Sequence, residues 1–115
     1  MDRRVEAVLL RIAAEWQRDL RVADLAASVN LGPSRLEHLF KESVRMSIRE
    51  MLHRRRMSEA ARLLVTTYAR VSEISYNVGF RDVSNFNHAF RKEFSVSPRE
   101  YRRRVGMVPP ATESK

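Results

Sequence analysis

The second half of this chain repeats the pattern of the first. Arg35-Leu36-Glu37-His38-Leu39-Phe40-Lys41 matches Asn85-Phe86-Asn87-His88-Ala89-Phe90-Arg91, with the apolar positions in step, the histidines coincident and a basic residue closing each segment. The match continues through Ser47-x-Arg49-Glu50 and Ser97-x-Arg99-Glu100, at an offset of fifty. Upstream, Val22-x-x-Leu25-x-x-x-Val29 pairs with Val71-x-x-Ile74-x-x-x-Val78 at forty-nine, so the second copy carries one extra residue in its turn. Any fold for this chain must therefore build the same short unit twice.

That unit is helical. Val5, Val8, Leu9, Ile12, Ala13 and Trp16 recur at i, i+3, i+4 and i+7, the spacing of a helix with one buried face. Trp16 belongs to that stripe and reads as core rather than as a base-stacking platform. Asp2, Glu6, Glu15 and Asp19 fall elsewhere on or beside the helix, a poor surface for a polyanion. A second helix spans Val22–Val29, and Asn30-Leu31-Gly32-Pro33 makes a tight turn in which Gly32 caps and Pro33 opens the next helix. This third helix runs to about Ser43 and buries Leu36, Leu39 and Phe40. Ser34, Glu37, His38 and Lys41 then share one outward face, with Arg35 beside it. The arrangement is that of a helix–turn–helix, whose second helix offers polar groups able to hydrogen-bond base edges.

Ser47 and Glu50 form a capping box that opens a fourth helix, running to about Val65. Ile48, Met51 and Leu52 suit the first unit; Met57, Ala60, Ala61 and Leu64 suit the second. Between them lies His53-Arg54-Arg55-Arg56, which no core accepts. The helix reads as a strut of about 28 Å at 1.5 Å per residue, comparable to the roughly 34 Å of one DNA turn. In the second unit Val71, Ile74 and Val78 line a short helix, Gly79-Phe80-Arg81 turns, and Asp82 or Ser84 caps the next. That helix buries Phe86, Phe90 and Phe94 and presents Ser84, Asn87, His88 and Arg91, with Val83 and Asn85 at its leading edge. Ser97-Pro98-x-Glu100 starts a last helix through Tyr101 and Arg102-Arg103-Arg104.

Composition narrows the function. The chain carries 22 Lys/Arg against 14 Asp/Glu, a formal charge of +8. Residues 1–50 hold nine basic and eight acidic residues; 51–115 hold thirteen and six. Basic excess favours nucleic acid or an anionic membrane as partner. No apolar run approaches the roughly 20 residues of a membrane span, and no signal-peptide pattern opens the chain. With no cysteine there is no disulfide, thiolate or cysteine metal site. His38 and His88 sit on separate helices with no third ligand at useful spacing, so neither a metal nor a cofactor is expected. Nor is an enzyme: there is no paired acid and base and no glycine-rich phosphate loop.

The spaced motif Val78-Gly79-Phe80-Arg81-Asp82-x-Ser84-x-Phe86-x-x-x-Phe90-Arg91-Lys92-x-Phe94-x-x-Ser97-Pro98-x-x-Tyr101-Arg102 resembles the signature of the AraC/XylS family of bacterial transcription regulators. The resemblance covers about residues 3–104. It implies an all-α fold of seven helices, with two homeodomain-like helix–turn–helix units joined by a long linker helix. The recognition helices would be Pro33–Ser43 and Val83–Phe94. Base-facing positions carried over are Ser34, Arg35, Glu37, His38 and Lys41, then Val83, Ser84, Asn85, Asn87, His88 and Arg91. Phosphate contacts are expected from Arg54, Arg55, Arg56, Arg99, Arg102 and Arg103. The chain departs from the family at Ser95, where relatives usually carry glycine, and Arg45 holds the matching place in the first unit. A left-handed residue there costs a non-glycine roughly 1 kcal/mol. Position 88 is often arginine in relatives.

The expected organisation is a first helix–turn–helix subdomain over 1–46, a linker helix over 47–65, a second subdomain over 66–104 and a disordered tail over 105–115. The expected function is sequence-specific binding of double-stranded DNA to regulate transcription, in the cytoplasm. Two recognition helices would read adjacent major-groove segments of an asymmetric, bipartite site. The charge asymmetry assigns more of the salt-dependent affinity to the second unit. RNA polymerase is a candidate partner, as is an N-terminal effector or dimerisation domain absent from this chain. The alternative is a helical adaptor for an acidic protein such as a polymerase subunit.

Overall fold

Several helix starts in this chain are set by side chains that accept from otherwise unpaired N–H groups. A computed structural model describes residues 1–106, and seven helices are found among them, with no strand. They are α1 (Arg3–Glu15), α2 (Val22–Ser28), α3 (Pro33–Val44), α4 (Ile48–Thr66), α5 (Val71–Asn77), α6 (Val83–Phe94) and α7 (Pro98–Val105). Asp2 caps α1, its Oδ1 accepting from the Arg4 N–H at 2.7 Å. The Arg4 guanidinium, donating to the same carboxyl, together with that N–H brings Asp2 down to about 2. The box at the start of α4 is reciprocal: the Ser47 N–H donates to Glu50 Oε1 at 2.8 Å and the Glu50 N–H to Ser47 Oγ at 3.0 Å. The Ser47 N–H thereby holds the Glu50 carboxyl below the usual carboxylate range. Of the two expected caps for α6 the structure selects Asp82, which accepts from the Ser84 N–H at 2.8 Å.

Helix ends repeat as faithfully as the starts. After α2, Asn30 is left-handed (φ 61), its N–H donates to Ala27 O, and the Leu31 N–H donates to Ala26 O. After α5, Gly79 is left-handed (φ 104), its N–H donates to Tyr76 O, and the Phe80 N–H donates to Ser75 O. Both are Schellman turns, in which a left-handed residue lets two N–H groups close the last carbonyls. Leu31 and Phe80 thus occupy one place; the next helix is capped by Gly32 in one unit and Asp82 in the other. The extra residue of the second unit is therefore Arg81. Arg45 (φ 71) and Ser95 (φ 68) end α3 and α6 in the left-handed region, donating to Lys41 O and Arg91 O. Both residues thus hold a conformation that glycine adopts at lower cost.

The chain divides into two units inside α4, between Arg55 and Arg56. In the first, Val5, Val8, Ile12 and Trp16 of the α1 stripe are buried with Leu25, Ala26, Leu36, Phe40, Ile48 and Leu52. Leu9 and Leu39 are only half-buried and Ala13 is exposed, so the stripe is narrower than the sequence spacing suggests. Trp16 is buried as expected, and the Arg55 guanidinium lies 5.2 Å from its ring centre. In the second unit Met57, Ala60, Ala61, Leu64, Ile74 and Val78 are buried with Phe86 and Phe90. Phe80, Phe94 and Tyr101 complete a chain of ring contacts with centroids 4.5–5.9 Å apart, Phe94 being half-buried. Met57, Ala60 and Leu64 repeat the 3, 4 spacing of Val5, Val8 and Ile12, so the second half of α4 does for its unit what α1 does for the first.

Helix ends differ from expectation by a residue or so: α2 stops at Ser28 rather than Val29, and α3 runs to Val44 rather than Ser43. α4 ends at Thr66, and α7 runs through Val105 with Gly106 as its C-cap, so those two residues close a helix rather than start a tail; 107–115 of that expected tail lie outside the described residues. Ser75 is fully buried in the core of the second unit and its Oγ has no hydrogen-bond partner. Ala26 fills the same place in the first unit, also fully buried.

Three stability outcomes follow, each readable by thermal or urea unfolding. Arg45→Gly and Ser95→Gly should each raise stability by about 1 kcal/mol, by relieving a left-handed side chain. Ser75→Ala should be neutral or stabilising by up to about 1 kcal/mol, since it removes a buried hydroxyl without a partner. A loss of more than that on Ser75→Ala would show that the hydroxyl is bonded in solution.

Candidate nucleic-acid interface

The two helices that follow the turns each divide cleanly into a buried and a solvent side. On α3, Leu36 and Phe40 are fully buried while Ser34, Arg35, His38 and Lys41 are exposed; Glu37 is half-exposed. On α6, Phe86 and Phe90 are fully buried while Ser84, Asn85, Asn87, His88 and Arg91 are exposed; Val83 is half-buried. Every base-facing candidate from the sequence thus has at least part of its surface open to solvent. The apolar anchors fix the rotation of each helix, and with it the direction of its polar face. His38 Nε2 lies 3.8 Å from Glu42 Oε2 one turn on, a solvent-exposed pair contributing little to stability. Among the described residues Arg35 and Arg91 make no ion pair.

The phosphate candidates are placed very differently from one another. Arg99 is exposed at the start of α7. Arg54 is exposed on α4 and contributes to the lowering of Glu50. Arg55 is stacked over Trp16, and Arg56 is half-buried with a partner of its own. Arg103 and Arg104 both donate to Glu100, Arg104 Nε reaching Oε2 at 2.8 Å. Arg102 turns inward. Its Nε donates to Leu64 O at 2.7 Å, and its Nη2 to Ala69 O at 2.8 Å and Thr67 O at 3.2 Å. Those carbonyls lie in the last turn of α4 and in the segment after it, where helical partners run out. Arg102 is therefore a clamp joining α7 to the end of α4. The same place in the first unit, fifty residues earlier, is held by the buried Leu52.

In the second unit an open groove of about 630 Å³ runs between α6 and the starts of α5 and α7. Asn87, His88 and Arg91 line it from α6, Arg70 and Ser72 from the start of α5, and Arg99 from α7. Arg70 and Ser72 are absent from the candidates drawn from sequence. The signal that points to Arg70 is its register: it precedes α5 as Arg21 precedes α2, at the same offset of forty-nine. Among the described residues no group of three or more His, Asp or Glu is placed to hold a metal ion, and no helix is long and apolar enough to cross a membrane.

The chain is similar to known proteins in sequence and in fold. The helix-turn-helix domain family matches residues 25–104. The chain is 40% identical over 91 residues to the lactose operon transcription activator of Staphylococcus xylosus, covering 79% of this chain and 33% of that protein. It is 38% identical over 81 residues to the arabinose operon regulatory protein of Escherichia coli, covering 70% of this chain and 28% of that protein. The chain thus spans about a third of the length of the curated relatives it matches. Among solved structures, the C-terminal domain of AraT, a response regulator from Geobacillus stearothermophilus, superposes with a TM-score of 0.86 at 30% identity. The match covers 99% of this chain and 94% of that one.

Removing the clamp should be costly. Arg102→Ala should lower stability by about 2 kcal/mol, since charge-assisted hydrogen bonds to three carbonyls are lost and left unreplaced. Arg102→Lys should recover less than half of that, because an ammonium cannot reproduce the guanidinium fork. Urea unfolding checks both; an Arg102→Ala variant as stable as the parent would show that the clamp carries no load.

Proposed function

The chain belongs to the AraC/XylS family of helix–turn–helix DNA-binding domains, and from that membership we propose that it binds double-stranded DNA sequence-specifically to regulate transcription. The observation that carries this reading is the pair α3 and α6. Each holds two fully buried apolar residues inward and, at matching register, a row of exposed hydrogen-bonding side chains outward. A helix so presented fits the major groove, where every base pair offers a distinct set of donors and acceptors.

The two rows differ in chemistry. Arg35 suits the O6 and N7 of guanine, Asn85 the N6 and N7 of adenine, and Glu37 the N4 amine of cytosine. Because Arg35 and Glu37 in one unit stand where Asn85 and Asn87 stand in the other, the site is asymmetric and one molecule suffices to read both parts. Half-sites separated by about one helical turn, roughly 10 bp, match the spacing of two-headed major-groove readers. The relatives regulate sugar operons by name, and regulation in the cytoplasm is the corresponding role for this chain.

Selection from a random-sequence duplex pool at near-physiological salt tests the reading. The expected outcome is an enriched bipartite motif with half-sites one turn apart. Binding without enrichment that fades as salt rises would overturn it in favour of a non-specific cation surface. With the motif known, Arg35→Ala should relax preference in one half-site and Asn85→Ala in the other, each by about 1–3 kcal/mol of discrimination. Equal loss across all sequences would remove these residues from base reading.

A further inference from the structure

We propose that the groove of the second unit is a seat for a single phosphate-class oxyanion, supplied by the DNA backbone, and that the equivalent surface of the first unit is not. The proposal rests on the DNA-binding reading and adds to it which residues hold the strand and which read the bases. Four arginines line the groove: Arg102, whose guanidinium is committed to backbone carbonyls, and Arg70, Arg91 and Arg99; Ser72 and Asn87 add neutral donors. No carboxylate lines it. Among the described residues neither Arg91 nor Arg99 is paired with an acid, so both charges are available to an incoming anion.

The internal repeat supplies the control. At the offsets of forty-nine and fifty, Arg21, Lys41 and Arg49 of the first unit keep the three cations. The neutral donors are gone: Ala23 stands for Ser72, and Glu37 stands for Asn87. Glu37 puts a carboxylate at the position that matches Asn87, and Ala23 has no side-chain donor. Leu52 replaces the guanidinium of Arg102, which backs the groove in the second unit. The same frame therefore offers an oxyanion five favourable groups in one unit, and in the other three cations set against a carboxylate.

The assignment separates residues that lie side by side on α6. Arg91, which lines the groove, binds phosphate and sets register without reading sequence. Ser84 and Asn85, which do not line it, stay free for base edges.

Two measurements on the full chain decide it. In the first, Arg91→Ala and Arg99→Ala are compared with Lys41→Ala and Arg49→Ala for the dependence of DNA affinity on salt. Each second-unit variant should flatten the slope of log K against log salt by about one and weaken all sequences alike; the first-unit pair should change the slope by less than half as much. In the second, inorganic phosphate is titrated while backbone amide shifts are followed. Ser72 and Arg99 should move and saturate, and Ala23 and Arg49 should not. Equal slopes in the two units would overturn the proposal, as would an Arg91→Ala variant altered at one base position alone. Phosphate shifts that are absent, or alike in both units, would overturn it too. Saturable phosphate binding at Ser72 and Arg99 in a chain that fails to bind DNA would uphold the seat, identify a free phosphoanion as its ligand and refute the DNA reading instead.

Discussion

The structure depends on one helix being a member of two cores. α4 contributes Ile48 and Leu52 to the first unit and Met57, Ala60, Ala61 and Leu64 to the second. At 100° per residue these sets do not form one stripe: Met57 is nine residues from Ile48, half a revolution out of phase. The helix is therefore short of amphipathic order as a whole while each half is well ordered for its own unit. Its exposed middle, Arg54 and Arg55, is what two stripes out of phase leave between them.

Duplication makes the fold legible, because each unit can be checked against the other. The registers of α3 and α6 are readable from Leu36/Phe86 and Phe40/Phe90, which recur at helical spacing and are all fully buried. Caps are readable where residue type alone decides them, as with Ser47 and Ser97, whereas for α6 the sequence leaves Asp82 and Ser84 both open. The left-handed geometry is readable at Ser95 only as a departure from a family pattern and at Arg45 only from the matching place in the repeat, since neither residue advertises it. Leu9, Leu39 and Phe94 show the limit of periodicity: the spacing is right, but burial also depends on what lies opposite, which spacing does not encode.

The site is less legible than the fold, and arginine is the reason. Arg55, Arg99, Arg102 and Arg103 look alike in a sequence as cations near a helix rich in charge. In the folded chain they have four different occupations: one covers an indole, one is open to solvent, one closes the carbonyls after α4, and one pairs with Glu100. Long flexible side chains are placed by partners distant in sequence, so local pattern cannot assign them. The formal excess of the second half therefore overstates what it can offer a polyanion. Conversely Arg70 and Ser72 enter the groove only because the fold brings the start of α5 against α6.

The left-handed caps at Arg45 and Ser95 terminate the same two helices that carry the outward polar faces. Each holds back stability that one substitution would release, at a position buried in neither core. A change on α3 or α6 that alters which sequence is read will usually weaken the fold somewhat. This domain keeps a compensating change at the C-cap of each of those two helices. Its recognition surfaces can therefore be rewritten from within either unit, and the chain is a tolerant starting point for divergence or for deliberate retargeting.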